Sequence, residues 1–337
     1  HRWCSFLASW RGVIDTSHDA DNDGIIDPYK YSVLGTPEAD LEYYGQDDEC
    51  IITTIPLGAL SDIPRAVAVD RNGKIWAATW NGHRVYRFNP NDPVSLEASR
   101  LFTPAGSPSF PIMGYFYSAA TADDYIYFTS NPGWSNMSGT GYIIRVNIED
   151  MTQADYVQCG GGTGTCGSVY GIVAIPGTHQ AWAGGYSGTG VYKVDFDAFP
   201  ATCTCVAVPS QVTAVTYDLN GKIWAAGYST GNVYRINPTT NVIEATCPTK
   251  YAPHRLVLTG GCVVAACWEK KDFSNWKDGF EGDAIRAVWW PAGEGSVEAF
   301  DAETGKPKWT LPLTALTVVA SEDTVYLLTH KGNPPTE

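Results

Sequence analysis

Two stretches of the chain carry nearly one text: AVAVDRNGKIWAATWNGHRVYRFNP at residues 66–90 and AVTYDLNGKIWAAGYSTGNVYRINP at residues 214–238. GKIWAA is unchanged between them, each copy follows an Asp-x-Asn-Gly turn (Asp70 to Gly73, Asp218 to Gly221), and each ends in VYRFNP or VYRINP. An Asn-Gly pair between apolar runs is a strong hairpin signal. Finding the same hairpin twice points to one supersecondary unit used repeatedly.

With that template, weaker copies become readable: YIYFTS with YIIRVN (Tyr125, Tyr142), QAWAGG with VYKVDF (Gln180, Val191), CVVAAC with VEAFDA (Cys262, Val297), and TVYLLT from Thr324. Six units start at Gly73, Asp124, His179, Gly221, Gly261 and Asp323, spaced by 51, 55, 42, 40 and 62 residues. Most of these spacings lie near the roughly 40–50 residues of a four-stranded blade. A twisted four-stranded sheet cannot bury both faces alone and stacks on neighbours around an axis. The expected fold is all-β, a single six-bladed β-propeller of four-stranded blades; a β-sandwich with accidental similarity is the alternative. After Thr329 only eight residues remain, so the sixth blade lacks its outer two strands. The β-like runs Trp3 to Trp10 and Cys50 to Leu57 are expected to supply them and close the ring, with a Cys4–Cys50 disulfide clamping the segment between. The domain expectation is therefore 1–61 for the closing strands and their acidic insert, and 62–337 for the blades. In a second reading the N-terminal strands pair with another subunit and give a swapped oligomer or a fibre.

Composition excludes several classes. The 337 residues carry 22 Lys+Arg against 36 Asp+Glu, a net charge of −14. No basic stretch exists to neutralise a run of phosphates, so nucleic acid is not an expected partner. The longest apolar runs fall far short of the roughly 20 residues of a membrane-spanning helix. Asp15 to Asp27 contribute five acids and Glu38 to Glu49 six, with Lys30 the one base between Asp15 and Glu49, so this insert holds ten of the fourteen net negative charges. Nine cysteines, without a paired C-x2-C knuckle, suit disulfides in an exported protein. The expected location is secreted or cell surface. The opening His1-Arg2-Trp3-Cys4 lacks a Met and an apolar leader and reads as a mature or trimmed product.

The blades at 66–90 and 214–238 resemble those of the NHL and virginiamycin B lyase-like propeller superfamily, well over residues 62 to about 250 and loosely beyond. VEAFDAETGKPKWTL (Val297 to Leu311) is similar to the quinoprotein-type repeat, and that resemblance implies a Trp309 docked between blades. Cys203-Thr204-Cys205 departs from the adjacent cysteines of quinoprotein dehydrogenases, and no quinone cofactor is expected.

The sharpest chemical motif is Asp19-Ala20-Asp21-Asn22-Asp23-Gly24-Ile25-Ile26-Asp27. Oxygen ligands at positions 1, 3 and 5, a turn glycine at 6, a backbone carbonyl at 7 and a carboxylate at 9 suit Ca²⁺. The expected ligands are Asp19, Asp21, Asp23, the Ile25 carbonyl and Asp27. Lys30 replaces the bidentate Glu of an EF-hand, and the loop resembles those of dockerins and thrombospondin-type repeats. Asp15 or Asp47-Asp48-Glu49 is available to complete the shell. A solvated acidic turn is the plain alternative.

Propeller chemistry lies where first strands line the axis. There the sequence offers His254 with Arg65 and Arg255 as the one cluster of catalytic potential. The resemblance implies His and Glu around Mg²⁺ for the lyases, and Glu, Asn and Asp around a divalent metal for gluconolactonase-type lactonases; neither pattern can be placed here. Loops 130–141 and 268–296 add Trp134, Trp268, Trp276, Trp289 and Trp290, which suit a protein or carbohydrate ligand or pack on their own blade. The expected function is a non-enzymatic, calcium-stabilised extracellular binding, adhesion or structural assembly module. The alternative is a virginiamycin B lyase-like or lactonase-like metalloenzyme with an axial pocket near His254.

Overall fold

A computed structural model of the chain describes residues 55, 57–59, 62–103, 114–131, 141–160, 166–268, 295–313, 315–320 and 324–329. The chain divides into two compact units, His1–Pro56 with Asn91–Ser95, and Leu57–Pro90 with Leu96–Glu337. Apart from the start of β4, every described strand belongs to the second.

Among the described residues there is no α-helix. Sheet 1 holds β1 (Pro64–Val69), β2 (Ile75–Thr79), β3 (Arg84–Asn89) and β4 (Asp92–Leu101); sheet 2 holds β5 (Tyr115–Ala122), β6 (Tyr125–Asn131), β7 (Gly141–Asn147) and β8 (Ala154–Cys159). Sheet 3 holds β9 (Val169–Ile175), β10 (Gln180–Gly185), β11 (Val191–Asp195) and β12 (Thr202–Val206); sheet 4 holds β13 (Val212–Tyr217), β14 (Ile223–Gly227), β15 (Asn232–Asn237) and β16 (Val242–Pro248). Sheet 5 holds β17 (Ala252–Thr259), β18 (Cys262–Trp268), β19 (Gly295–Asp301) and β20 (Pro307–Leu311), and the two-stranded sheet 6 holds β21 (Ala315–Ala320) and β22 (Val325–Thr329). Each four-stranded sheet is an antiparallel meander in chain order, and the first strands lie side by side in sequence: β1 on β5, β5 on β9, β9 on β13, β13 on β17, β17 on β21. The two strands of sheet 6 match the expected short last blade. The closing strands expected at Trp3 to Trp10 and across most of Cys50 to Leu57, and Cys4 and Cys50 with them, lie outside the described residues.

The repeated text has a physical reason. In the first turn Asp70 is buried; its Oδ1 accepts from the Asn72 and Lys74 amides at 2.9 Å each, and its Oδ2 accepts from the Trp76 indole at 2.7 Å. Asp218 does the same for Asn220, Lys222 and Trp224 at 2.9, 2.9 and 2.8 Å. Gly73 and Gly221 take φ values of 74° and 72°, the left-handed region where a side chain would be strained. One carboxylate thus closes the turn and anchors the tryptophan that fills the core. Sheet 3 has Pro176-Gly177-Thr178 in that turn, and among the described residues the Trp182 indole N–H has no partner.

In sheets 1, 3 and 4 the basic residue of the third strand ties the sheet to the next. Arg87 donates to the Ile148 carbonyl at 2.5 Å, Lys193 to the Pro238 carbonyl at 2.6 Å, and Arg235 to the Ala302 and Glu303 carbonyls. Arg145 instead lies over the Phe196 ring at 4.5 Å. The core follows the same plan, as five apolar clusters, each between two consecutive sheets. The second-strand aromatics Trp76, Tyr127, Trp182 and Trp224 are fully buried in them. Two disulfides, Cys159–Cys203 and Cys166–Cys205, fasten the end of sheet 2 and the segment before β9 to the outer strand of sheet 3. Cys247, Cys262 and Cys267 are free thiols. Trp309 is not docked between blades as the quinoprotein resemblance implies: it lies on the outer strand β20 and is 38% exposed.

Candidate functional site

The end of the array where first strands begin and second strands finish is lined with rings. The residue just past GKIWAAx in the repeat, at the end of each second strand, is Trp80 in sheet 1, Asn131 in sheet 2, Tyr186 in sheet 3, Tyr228 in sheet 4 and Trp268 in sheet 5. Opposite these, the openings of the first strands present Arg65, Tyr115 and Tyr117, Tyr170, Thr213, and His254 with Arg255.

These side chains form a continuous run across five sheets. Arg65 sits over the Tyr117 ring at 4.5 Å and the Trp80 ring at 5.7 Å. Tyr117 is 4.1 Å from the Tyr170 ring, centroid to centroid, and their hydroxyls are hydrogen-bonded. Tyr170 stacks on Tyr186 at 4.7 Å and meets His254 edge-on at 6.1 Å. His254 meets Tyr228 edge-on at 5.9 Å and stacks flat on Trp268 at 3.9 Å. The Trp268 indole donates to the Ala315 carbonyl at 2.5 Å, reaching sheet 6. Asn131 donates to the Val169 carbonyl at 2.7 Å and Thr213 to the Pro253 carbonyl at 3.2 Å, so the polar members pin neighbouring first strands.

Burial sorts them into floor and rim. Trp80, Tyr170, Tyr228, His254 and Trp268 are buried, whereas Arg65, Tyr117, Tyr186 and Arg255 are half-buried. Burial, with a lesser contribution from Arg255, holds the His254 imidazole well below its usual pKa, so the ring is neutral at pH 7. Its Nδ1 is buried without a partner among the described residues. Burial pushes the Tyr186 phenol up to about 12 and raises Tyr170 and Tyr228, so all three stay protonated. The fixed charges among these side chains are therefore the two guanidinium groups.

The candidates His254, Arg65 and Arg255 all lie at this end, but not as one cluster. His254 and Arg255 are adjacent on β17, while Arg65 reaches them through Tyr117 and Tyr170. Among the described residues no group of three His, Cys, Asp or Glu side chains is placed to hold a metal ion. Trp268 is not a loop residue, as the sequence reading has it, but the last residue of β18, because its strand runs one residue past the apolar CVVAAC. Trp134, Trp276, Trp289 and Trp290, and the calcium loop with Asp19, Asp21, Asp23, Ile25 and Asp27, lie outside the described residues. His83 donates from Nδ1 to the Gly114 carbonyl (3.4 Å) against Tyr115, and His179 pairs with Asp197. The rings at the second-strand ends escape an inspection confined to first strands. The sequence carries the signal two residues past the repeated GKIWAA, at Trp80 and Tyr228.

No family model and no curated protein matches the sequence. Solved structures do match in fold. A streptogramin B lyase structure is 12% identical over 81% of this chain and 78% of its own, with a TM-score of 0.56. The WD40 repeats of RRP9 are 12% identical over 80% of this chain and 74% of theirs, with a TM-score of 0.53. A catalytically inactive virginiamycin B lyase from Staphylococcus aureus, solved with quinupristin, is 17% identical with a TM-score of 0.48; this chain aligns over 63% of its length and spans 65% of that protein. At these identities the likeness is one of fold: the chain is all-β and propeller-like, and its described residues form five four-stranded sheets and a two-stranded sixth.

Proposed function

We propose that the protein is a non-enzymatic extracellular binding module whose ligand seats on the aromatic end of the array. The observation that carries this reading is the unbroken run from Arg65 to Trp268: a floor of packed rings, a neutral imidazole with an unpartnered nitrogen, and two guanidinium groups. Flat apolar faces suit the faces of sugar rings or apolar side chains, and guanidinium groups suit carboxylates. The ligand class is an acidic saccharide or an acidic segment of a partner protein. Two disulfides fit an oxidising compartment. No helix among the described residues is long and apolar enough to cross a membrane. Ca²⁺ held by Asp19, Asp21, Asp23, the Ile25 carbonyl and Asp27 rigidifies the N-terminal insert, and self-assembly through that segment is the assembly form of the same reading.

A second reading, a lyase- or lactonase-like enzyme acting at His254, is favoured by its buried Nδ1, which has no partner among the described residues. One experiment separates them. The chain is titrated calorimetrically with hexagalacturonate and with cellohexaose, and separately incubated with quinupristin and followed by mass spectrometry. Binding of the acidic oligomer, weakened at least tenfold by Arg65→Ala or Arg255→Ala, supports the module. Conversion of quinupristin that is abolished by His254→Ala overturns it.

A further inference from the structure

The first strands break register near their openings. The ladder shifts between Pro64 and Ala66 in β1, between Phe116 and Ser118 in β5, between Pro253 and Arg255 in β17, and in β9 opposite Ala183 to Gly185. Such a bulge lifts a residue out of the regular pleat and re-aims its side chain. The residues within these shifts are Arg65, Tyr117, His254, and Tyr170 with Gly171.

Across the boundary between sheets 2 and 3 the bulges bring two phenols together. The Tyr117 and Tyr170 ring centroids are 4.1 Å apart at an interplanar angle of 41°, and the Tyr117 hydroxyl donates to that of Tyr170. With the hydroxyls joined, the ring carbons ortho to them are carried together as well. Other tyrosine pairs are wider, at 4.7 Å for Tyr170 and Tyr186 and, edge-on, 6.3 Å for Tyr125 and Tyr127 and 6.1 Å for Tyr142 and Tyr156. Tyr170 is 8% exposed, which shields its ring from other chains, whereas Tyr117 and Tyr186 on either side are half-buried and give a small oxidant two points of entry. The same two sheets are fastened at their outer side by Cys159–Cys203 and Cys166–Cys205, bonds that form only by oxidation.

We propose that Tyr117 and Tyr170 are a site of oxidative crosslinking, at which a dityrosine bond joins the first strands of sheets 2 and 3. Each phenol gives one electron to a one-electron oxidant and its hydroxyl proton to solvent. The two phenoxyl radicals combine at ortho carbons, one C–C bond forms, and the hydrogen on each of those carbons moves to the oxygen, restoring both phenols. Two electrons and two protons leave the protein; hydrogen peroxide consumed by a peroxidase takes up both as water. The bond closes a sequence separation of 53 residues at the inner strands, as the disulfides close 44 and 39 at the outer one. The reaction needs no ligand at the aromatic end.

The test is oxidation of the full chain, at high dilution, by photogenerated ruthenium(III) tris-bipyridine with persulfate as the terminal acceptor. Products are mapped by tandem mass spectrometry for the folded chain, the urea-unfolded chain, Tyr117→Phe and Tyr186→Phe. The expected product joins the peptides carrying Tyr117 and Tyr170, lacks two hydrogens and shows dityrosine fluorescence. Its yield falls about tenfold or more in urea, where the fold no longer holds the rings together, and in Tyr117→Phe, and is retained in Tyr186→Phe. Dityrosine formed chiefly between Tyr170 and Tyr186 or between chains, a yield in urea equal to that of the folded chain, or oxidation that stops at tryptophan without dityrosine would overturn the proposal.

Discussion

Replacing Asp218 with alanine removes the most heavily used side chain of the repeat. Its carboxylate is 1% exposed and accepts three hydrogen bonds, two from backbone amides at 2.9 Å and one from the Trp224 indole at 2.8 Å. Bonds to a charged acceptor contribute about 1.5–3 kcal/mol each, and a buried donor left unsatisfied costs about 1–3 kcal/mol. The Trp224 N–H is buried and loses its acceptor with the carboxylate, while the two amides lie in a turn that solvent reaches. Desolvation of the charge, absent from the variant, offsets part of the loss. The net expectation is a destabilisation of about 3–4 kcal/mol, read as a fall in urea midpoint at unchanged slope. Asp218→Asn keeps one acceptor and loses about half as much. Asp70→Ala behaves alike, since Asp70 serves Trp76 in the same way. By contrast Trp182, whose N–H has no partner among the described residues, loses nothing by giving up that donor, and Trp182→Phe is limited to the smaller ring. A loss below about 1 kcal/mol for Asp218→Ala would refute the claim that this carboxylate organises the hairpin and its core tryptophan.

Removing either disulfide by Cys203→Ser or Cys205→Ser frees a sequence separation of 44 or 39 residues and lowers stability by about 2–4 kcal/mol in chemical denaturation. Trp268→Phe keeps the stack on His254 but strips the Ala315 carbonyl of its donor, for a loss of about 1–3 kcal/mol, whereas Trp268→Ala loses the stack as well and about 3–5 kcal/mol. Stability falls as pH drops below about 6.5. Burial lowers the folded pKa of His254, so the unfolded chain takes the proton first; the contribution is complete above the unfolded value and declines by up to about 1.4 kcal/mol per pH unit until the folded pKa is reached. Burial lowers His83 in the same direction. His254→Phe flattens the profile in urea melts between pH 4 and 7. EGTA lowers the melting midpoint if the Asp19 to Asp27 loop holds Ca²⁺, and Asp21→Asn together with Asp23→Asn removes that response.

Much of the fold was legible because the hairpin is specified locally. Asp70, Gly73 and Trp76 sit within seven residues, and the carboxylate, the left-handed glycine and the indole satisfy one another without help from distant chain. Sheet 6 was legible for the same reason, as a hairpin with too little chain after it for outer strands. What the sequence did not show is what depends on neighbouring sheets. Trp309 has the spacing of a docked tryptophan, but its exposure depends on what packs beside β20. Trp268 looked like a loop residue because the apolar run ends at Cys267, yet the flat stack on His254 and the bond to Ala315 come from sheets 5 and 6 together. The pairing of Cys159 with Cys203 and of Cys166 with Cys205 follows from sheet 2 lying beside sheet 3, and no spacing rule supplies it. His254 stood out as a strand-opening histidine; its neutrality comes from the rings around it.

The aromatic end as a ligand seat is tested most directly by ¹⁹F NMR of the chain labelled with 5-fluorotryptophan, with Trp80, Trp268, Trp76 and Trp224 assigned by single Trp→Phe variants, during titration with hexagalacturonate. The account predicts that the Trp80 and Trp268 resonances move together and saturate, while Trp76 and Trp224, sealed between sheets, stay in place. Movement confined to other tryptophans, or no movement at saturating oligomer, would contradict it.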